Sequence, residues 1–188
     1  MNLETLDVPG AWLLSSRQFE DDRGWFQEWF KHSMIKSQIG YDFVPVQANI
    51  SHSSAGTIRG IHYSTAPKGQ GKLVTVMHGE IDDYAIDLNP SSDSFGKWTR
   101  VRLSAENRQS LLLSPYMGHA FQALVPDTVV SYLVTAEFDP ETEKGITPYC
   151  HTIGIEWSDS CPPIVSPKDI EAPDLTAQQM AGNLPFHA

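Results

Sequence analysis

The sequence predicts a mainly β fold, an antiparallel sandwich or barrel with a few short helices, and three features point there. Short β-rich runs recur through the middle of the chain, each closed by a turn signal. Helical spacing is confined to two brief stretches. The 188 residues are 40% hydrophobic and 19% charged, which suits a domain with a buried core and not a disordered chain. Taken in order, Glu28 to Ile39 has helical spacing and stops at Gly40, a residue at ease in the left-handed conformation that ends helices. The strands expected next are Lys72–His78, Ile81–Leu88, Trp98–Leu103, Ser110–Leu113, His119–Leu124 and Val129–Thr135. Between them stand His78-Gly79, Asn89-Pro90, Pro115 and Pro126-Asp127, whose glycines, prolines and short polar side chains favour turns. Asp174 offers a cap for a last helix ending near Gly182. With no repeat and no low-complexity linker, residues 1–188 are expected to form one domain. Its first ~50 and last ~45 residues should wrap a central β core.

Charge narrows the partners. Thirteen Lys and Arg face 23 Asp and Glu, a formal net charge of −10, so the chain lacks the broad positive surface that holds polymeric nucleic acid. The first residues, Met1-Asn-Leu-Glu-Thr-Leu-Asp7, are acidic where a signal peptide is basic, and no apolar run approaches the ~20 residues of a membrane span. No membrane partner is expected, and the cytoplasm is the expected compartment. Cys150 and Cys161 form no CxxC pair, and two free thiols are expected.

Several polar residues fall where a core strand calls for apolar ones. Side chains alternate along a strand, so Lys72 shares a face with Val74 and Val76, Tyr132 with Val130 and Val134, and His119 with Phe121. The three converge if those faces line a barrel interior. If Lys72 and His119 merely end their strands, and Tyr132 is a satisfied core tyrosine, they have no joint role. His62 follows Arg59-Gly-Ile, and Gly60 permits a bulge or close backbone approach that aims the imidazole inward, where its near-neutral pKa suits a general base. Metal chelation competes with that reading, but Tyr63 and Ser64 follow His62 where a His-x-His pair would be needed, so no metal is expected. Arg23 and Arg59 each precede a glycine. With Lys168 they make either a local pocket for a phosphorylated ligand or ordinary surface bridges.

Asp22-Arg-Gly-Trp-Phe26, Gln47-Ala-Asn-Ile-Ser51, Arg59-Gly-Ile-His-Tyr63, Gln70-Gly-Lys-Leu-Val74, Gly79-Glu-Ile-Asp-Asp83, Gly118-His-Ala-Phe121, Tyr132 and Ser166-Pro-Lys-Asp169 together resemble the dTDP-4-dehydrorhamnose 3,5-epimerase family, in order over nearly the whole chain. The resemblance implies a cupin-like jelly-roll β-barrel, a homodimer exchanging N-terminal strands, and epimerisation of a nucleotide-diphospho-4-keto-6-deoxyhexose at C3, C5 or both without metal or cofactor. It implies that His62 removes the proton, Asp169 orients His62, Lys72 stabilises the enolate oxygen, and Tyr132 returns a proton from the other side. It also implies that Arg23 and Arg59 meet the diphosphate, with Gln47, Asn49 and Lys168 nearby in the same role or in nucleoside binding. His119 would hydrogen-bond near the sugar keto group or the base, Asp83 would support Lys72 from a neighbouring strand, and Phe26 would stack on the base.

The chain departs from the usual family pattern in places. Phe138 stands where a tyrosine is common and cannot donate a hydrogen bond. Gly118-His-Ala-Phe121 replaces His-Gly-Phe, Thr147-Pro-Tyr-Cys-His151 replaces a Trp-Asn-Asp segment, and Ser64 replaces a glutamine. These changes resemble the secondary-metabolite branch, some of whose members invert a single carbon. Two other readings stand beside the epimerase: a metal-dependent cupin isomerase or oxygenase, and a sugar-nucleotide binding module without activity.

Overall fold

The computed structural model describes residues 1–185. In chain order the elements are β1 (Asn2–Thr5), β2 (Ala11–Ser15), β3 (Gln18–Asp21), β4 (Gly24–Gln27), α1 (His32–Ile39), β5 (Gln47–Ser53), β6 (Thr57–Ser64) and β7 (Lys72–His78). There follow β8 (Glu80–Asp87), β9 (Trp98–Ser104), β10 (Ser110–Leu113), β11 (Met117–Ala123), β12 (Thr128–Val134), β13 (Glu143–Gly145), β14 (Ile164–Val165), α2 (Pro167–Ile170) and α3 (Leu175–Met180). One sheet runs β1-β2-β10-β7-β12-β5, and the other runs β13-β6-β11-β8-β9 with β14 beside β6. β3 and β4 form a separate hairpin.

The two sheets face each other across a core. Val74, Leu111 and Val130 come from the first sheet, and Ile81, Ala85, Leu103 and Phe121 from the second. The result is a mainly β jelly-roll of the cupin kind. A second apolar layer covers the outer side of the first sheet, where Ile35 of α1 and Phe43 pack on Leu14, Leu73 and Leu112. The C-terminal segment covers the other sheet, with Ile146, Cys150, Ile153 and Leu175 against Tyr84 and Ile86.

All six expected strands are present, with ends displaced by at most two residues. The expectation that the first ~50 residues wrap the core needs correction, because β2 pairs with β10 and β5 with β12 as full members of the first sheet. Exposed Ala48, Ile50 and His52 alternate with half-buried Gln47, Asn49 and Ser51, so β5 has a polar inner face and a partly apolar outer one. That inverted pattern hid the strand. α1 starts at His32 and not at Glu28: Lys31 before it is extended, and Trp29 and Phe30 pack on the Leu14–Phe43 cluster. Its end is as expected, with Gly40 left-handed at φ 69° and donating to Lys36 O. Asp174 caps α3 by accepting from Ala177 N at 2.7 Å. Both cysteines are free. Among the described residues no helix is long and apolar enough to cross a membrane.

Candidate active site

Antiparallel register places the polar inner positions opposite one another. On the first sheet Tyr132 lies between Asn49 and Val74, and Val134 between Gln47 and Lys72. On the second, His62 lies opposite His119 on one side and Gly145 on the other. Between these walls is a cavity of about 230 Å³, lined by Gln47, Asn49, Ser51, Lys72, Tyr132 and Val134 from one sheet and by Arg59, His62, His119, Phe121 and Glu143 from the other. Gln70 and Phe138 complete it from connecting segments.

Gly60 decides how His62 is presented. Its φ is +118°, and a Cβ there would lie 2.6 Å from His119 O and 2.7 Å from Ala120 Cβ. Only glycine fits so close to β11 in that conformation. The register between β11 and β6 slips at this point, as a bulge does, and the slip re-aims the following side chains.

Each imidazole is held by a carboxylate from a distant part of the chain. His62 Nε2 is 2.8 Å from Asp169 Oδ1, and His119 Nε2 is 2.6 Å from Asp83 Oδ1. Ser166 caps α2, accepting from Asp169 N at 3.1 Å, and so fixes where Asp169 points. Burial pushes the Asp169 carboxyl up, but hydrogen bonding and charge from His62, with hydrogen bonds from Ser166 and the Gly60 backbone, outweigh it and hold the group below the usual carboxylate range. Among the described residues no group of three or more His, Cys, Asp or Glu is placed to hold a metal ion.

Lys72 is 5% exposed, and its side chain makes no hydrogen bond with any described residue. Burial drags its pKa down, and the charges of Glu143 and Asp83 pull it partly back. Asp83 acts across the interior, because β8 belongs to the opposite sheet and is not paired with β7. The Tyr132 phenol is pushed up by burial and by Glu143, with Arg59 opposing. The site therefore holds a desolvated lysine amine, a phenol pushed up from its ordinary range and two carboxylate-tethered imidazoles around one cavity.

The expected residues are not all here. Lys168 and Asp169 border an adjoining cavity of about 460 Å³, which shares Arg59 and His62 with the first. Arg59 is tethered through Nε to Ser53 Oγ at 3.2 Å and through Nη2 to His52 O at 3.1 Å. Arg23 and Phe26 sit on the β3–β4 hairpin, outside the cavity, and Arg23 is 89% exposed and paired with Asp21. Sequence reasoning did not single out Glu143, Ser51, Gln70 as a lining residue, or the cavity role of Val134. Ser51 shares the two-residue period of Gln47 and Asn49, a usable signal. Glu143 lies in a three-residue strand with no pattern of its own.

These features define a jelly-roll protein with a cavity of titratable side chains between its sheets. The chain belongs to the dTDP-4-dehydrorhamnose 3,5-epimerase family, whose model matches residues 5–177. It is 37% identical over 183 residues to a dTDP-4-dehydrorhamnose 3,5-epimerase of Streptomyces griseus, covering 97% of this chain and 91% of that one. A dTDP-4-dehydrorhamnose 3-epimerase of Streptomyces niveus is 35% identical, covering 100% and 90%. Among solved structures, the rmlC epimerase of Mycobacterium tuberculosis superposes with a TM-score of 0.95 at 34% identity, covering 98% of this chain and 94% of that one. ChmJ, a 3'-monoepimerase from Streptomyces bikiniensis in complex with dTDP-quinovose, gives 0.91 at 33%, covering 96% and 91%.

Proposed function

We propose that this protein inverts C3, or C3 and C5, of a dTDP-linked 4-keto-6-deoxyhexose by proton transfer without a metal. The observation that carries the reading is the placement of His62 on one sheet and Tyr132 on the other, with a single cavity between them. A carbon beside a ketone becomes acidic when its carbanion delocalises into an enolate. Inversion needs a base on one face of that carbon and an acid on the other. His62, with Nε2 tied to Asp169, has Nδ1 left to take the proton. Lys72, unpaired and desolvated, meets the negative charge that grows on the ketone oxygen, and Tyr132 supplies the proton from the opposite wall. Arg59 and Lys168 bind the diphosphate. The names of the relatives, which include both 3,5- and 3-epimerases, support the substrate class.

The nucleotide end requires a second copy of the chain in this reading. The β3–β4 hairpin carries exposed Phe19, Trp25 and Phe26 away from the cavity, and β5 ends its sheet with an unpaired edge. Exchange of the hairpin in a homodimer brings Arg23 and Phe26 to a partner's site. Light scattering then gives twice the chain mass.

The test is solvent exchange. Incubated in D2O with dTDP-4-keto-6-deoxyglucose, the protein should place deuterium beside the ketone. His62→Ala should abolish exchange at every position, and Tyr132→Phe should impair inversion more than exchange. Epimerisation retained by the His62 variant removes the assignment. Tight binding with no exchange by the wild type supports a binding module instead.

A further inference from the structure

The segment from Thr135 to Thr142 leaves β12 on one sheet and enters β13 on the other, so it crosses from wall to wall beside the cavity. Phe138 lies at its middle, 58% exposed yet lining the cavity. Both ends are fastened by backbone. Thr135 N donates to Gly71 O at 3.1 Å, and Thr65 N donates to Thr142 O at 2.9 Å. Between those ends two glutamine side chains hold the strap: Gln70 Nε2 donates to Ala136 O at 2.9 Å, and Gln47 Oε1 accepts from Phe138 N at 2.8 Å. Gln47 projects from β5, at the open edge of its sheet. Gln70 is 6% exposed, and its own backbone N–H is anchored on Pro115 O at 3.2 Å. A buried, anchored donor is the stiffer support, and no other side chain among the described residues bonds Ala136 O.

We infer that Gln70 is a positioning residue, which fixes the strap and thereby sets where Phe138 stands over the bound sugar nucleotide. The role in turnover rests on the function proposed above, whereas the mechanical role does not. Removing the amide leaves Ala136 O without its partner and the middle of the strap held by Gln47 alone, while Gly71 and Thr65 still hold its ends. The net worth of such a hydrogen bond corresponds to about a three- to tenfold change in an equilibrium.

The experiment has two arms. Hydrogen exchange on the ligand-free protein compares the wild type with Gln70→Leu, which keeps the bulk and removes the donor. The hydrogen-bonded amides of Phe138 and Glu141 are expected to exchange about three- to tenfold faster, with those of β7 unchanged. Equal protection in the strap overturns the inference whether or not the protein turns over any sugar. In the second arm KM and kcat for the dTDP-linked 4-keto sugar are measured for Gln70→Leu, Phe138→Ala and the double variant. If Gln70 acts through Phe138, each single change raises KM by about three- to tenfold with kcat little altered, and the double variant is no worse than Phe138→Ala alone. Multiplicative effects overturn the inference, because they mean that Gln70 touches the substrate or supports Lys72 directly. A wild type that does not epimerise defeats the proposed function, and hydrogen exchange alone then decides whether Gln70 holds the strap.

Discussion

Replacing Lys72 with methionine separates what this side chain does for the reaction from what it does to the fold. Methionine keeps an unbranched stem of similar reach and removes the ammonium. The native ammonium is buried without a hydrogen bond among the described residues, and burial is the largest influence on its pKa, which lies below the ordinary 10.5. Between the native pKa and 10.5 the unfolded chain binds the proton more tightly than the native one, so stability rises with pH through that window. Below the window the charge penalises the native state in full. Lys72→Met is therefore expected to be more stable than wild type at pH 7, on the order of 1–2 kcal/mol from comparable replacements of buried charge. For a chain of this size that raises Tm by about 2–8 °C. The gain should shrink as pH climbs toward 10.5, where the wild-type lysine loses its proton in both states. Activity moves the other way. A preorganised charge facing a developing oxyanion is worth about 3–4 kcal/mol, so kcat should fall by roughly two to three orders of magnitude with little change in KM. Scanning calorimetry at fixed protein concentration from pH 6 to pH 10, beside kcat from product NMR, reads both effects. A variant less stable than wild type at pH 7, or one within about tenfold of wild-type kcat, would refute the argument.

Asp169→Asn removes the carboxylate that orients His62, and kcat should fall by roughly 10²–10⁴ as judged from an orienting aspartate elsewhere. Because the native Asp169 pKa is depressed, its ionised form stabilises the fold above 3.8, and that share is lost as pH falls through the native value. The variant should thus melt below wild type at pH 7 and converge with it in acid, and a constant gap across pH would contradict the account. Glu143 raises both the Lys72 ammonium and the Tyr132 phenol. Glu143→Gln should therefore shift the alkaline limb of the kcat profile to lower pH, and an unmoved limb argues against proton donation by Tyr132. Gly60→Ala forces a Cβ to within 2.6 Å of His119 O at a φ of +118°. It should cost about 1–3 kcal/mol or more and lower activity through His62, readable as a fall in Tm of at least a few degrees.

Much of this site was legible in the sequence. Lys72, His119 and Tyr132 stood out because each put a polar group where a strand's core face expects an apolar one, and His62 because Gly60 could aim its imidazole inward; all four line the same cavity. The resemblance to the epimerase family carried the roles, and the family match bears out the membership. Other parts were hidden for identifiable reasons. β5 faces the cavity with glutamine, asparagine and serine, so the usual apolar alternation is reversed and the strand reads as a loop. Trp29 and Phe30 fit a helical spacing, yet they pack on a cluster that β2 and β10 supply. Arg23 and Phe26 carry a recognisable motif and still sit outside this chain's own cavity, because a hairpin two residues from β2 points elsewhere.

The amino-acid order by itself determined the strand rhythm, the glycine and proline punctuation, and the helix-end residues Gly40 and Asp174, all of which act within a few residues of themselves. Tertiary structure alone decided which groups meet. The bonds from His62 to Asp169 and from His119 to Asp83 span 107 and 36 positions, and Glu143 enters from a short strand that pairs with β6. Periodicity tells which way a side chain points from its own backbone. Only the stacking of one sheet upon the other establishes what stands opposite, and an acid–base site is made of such oppositions.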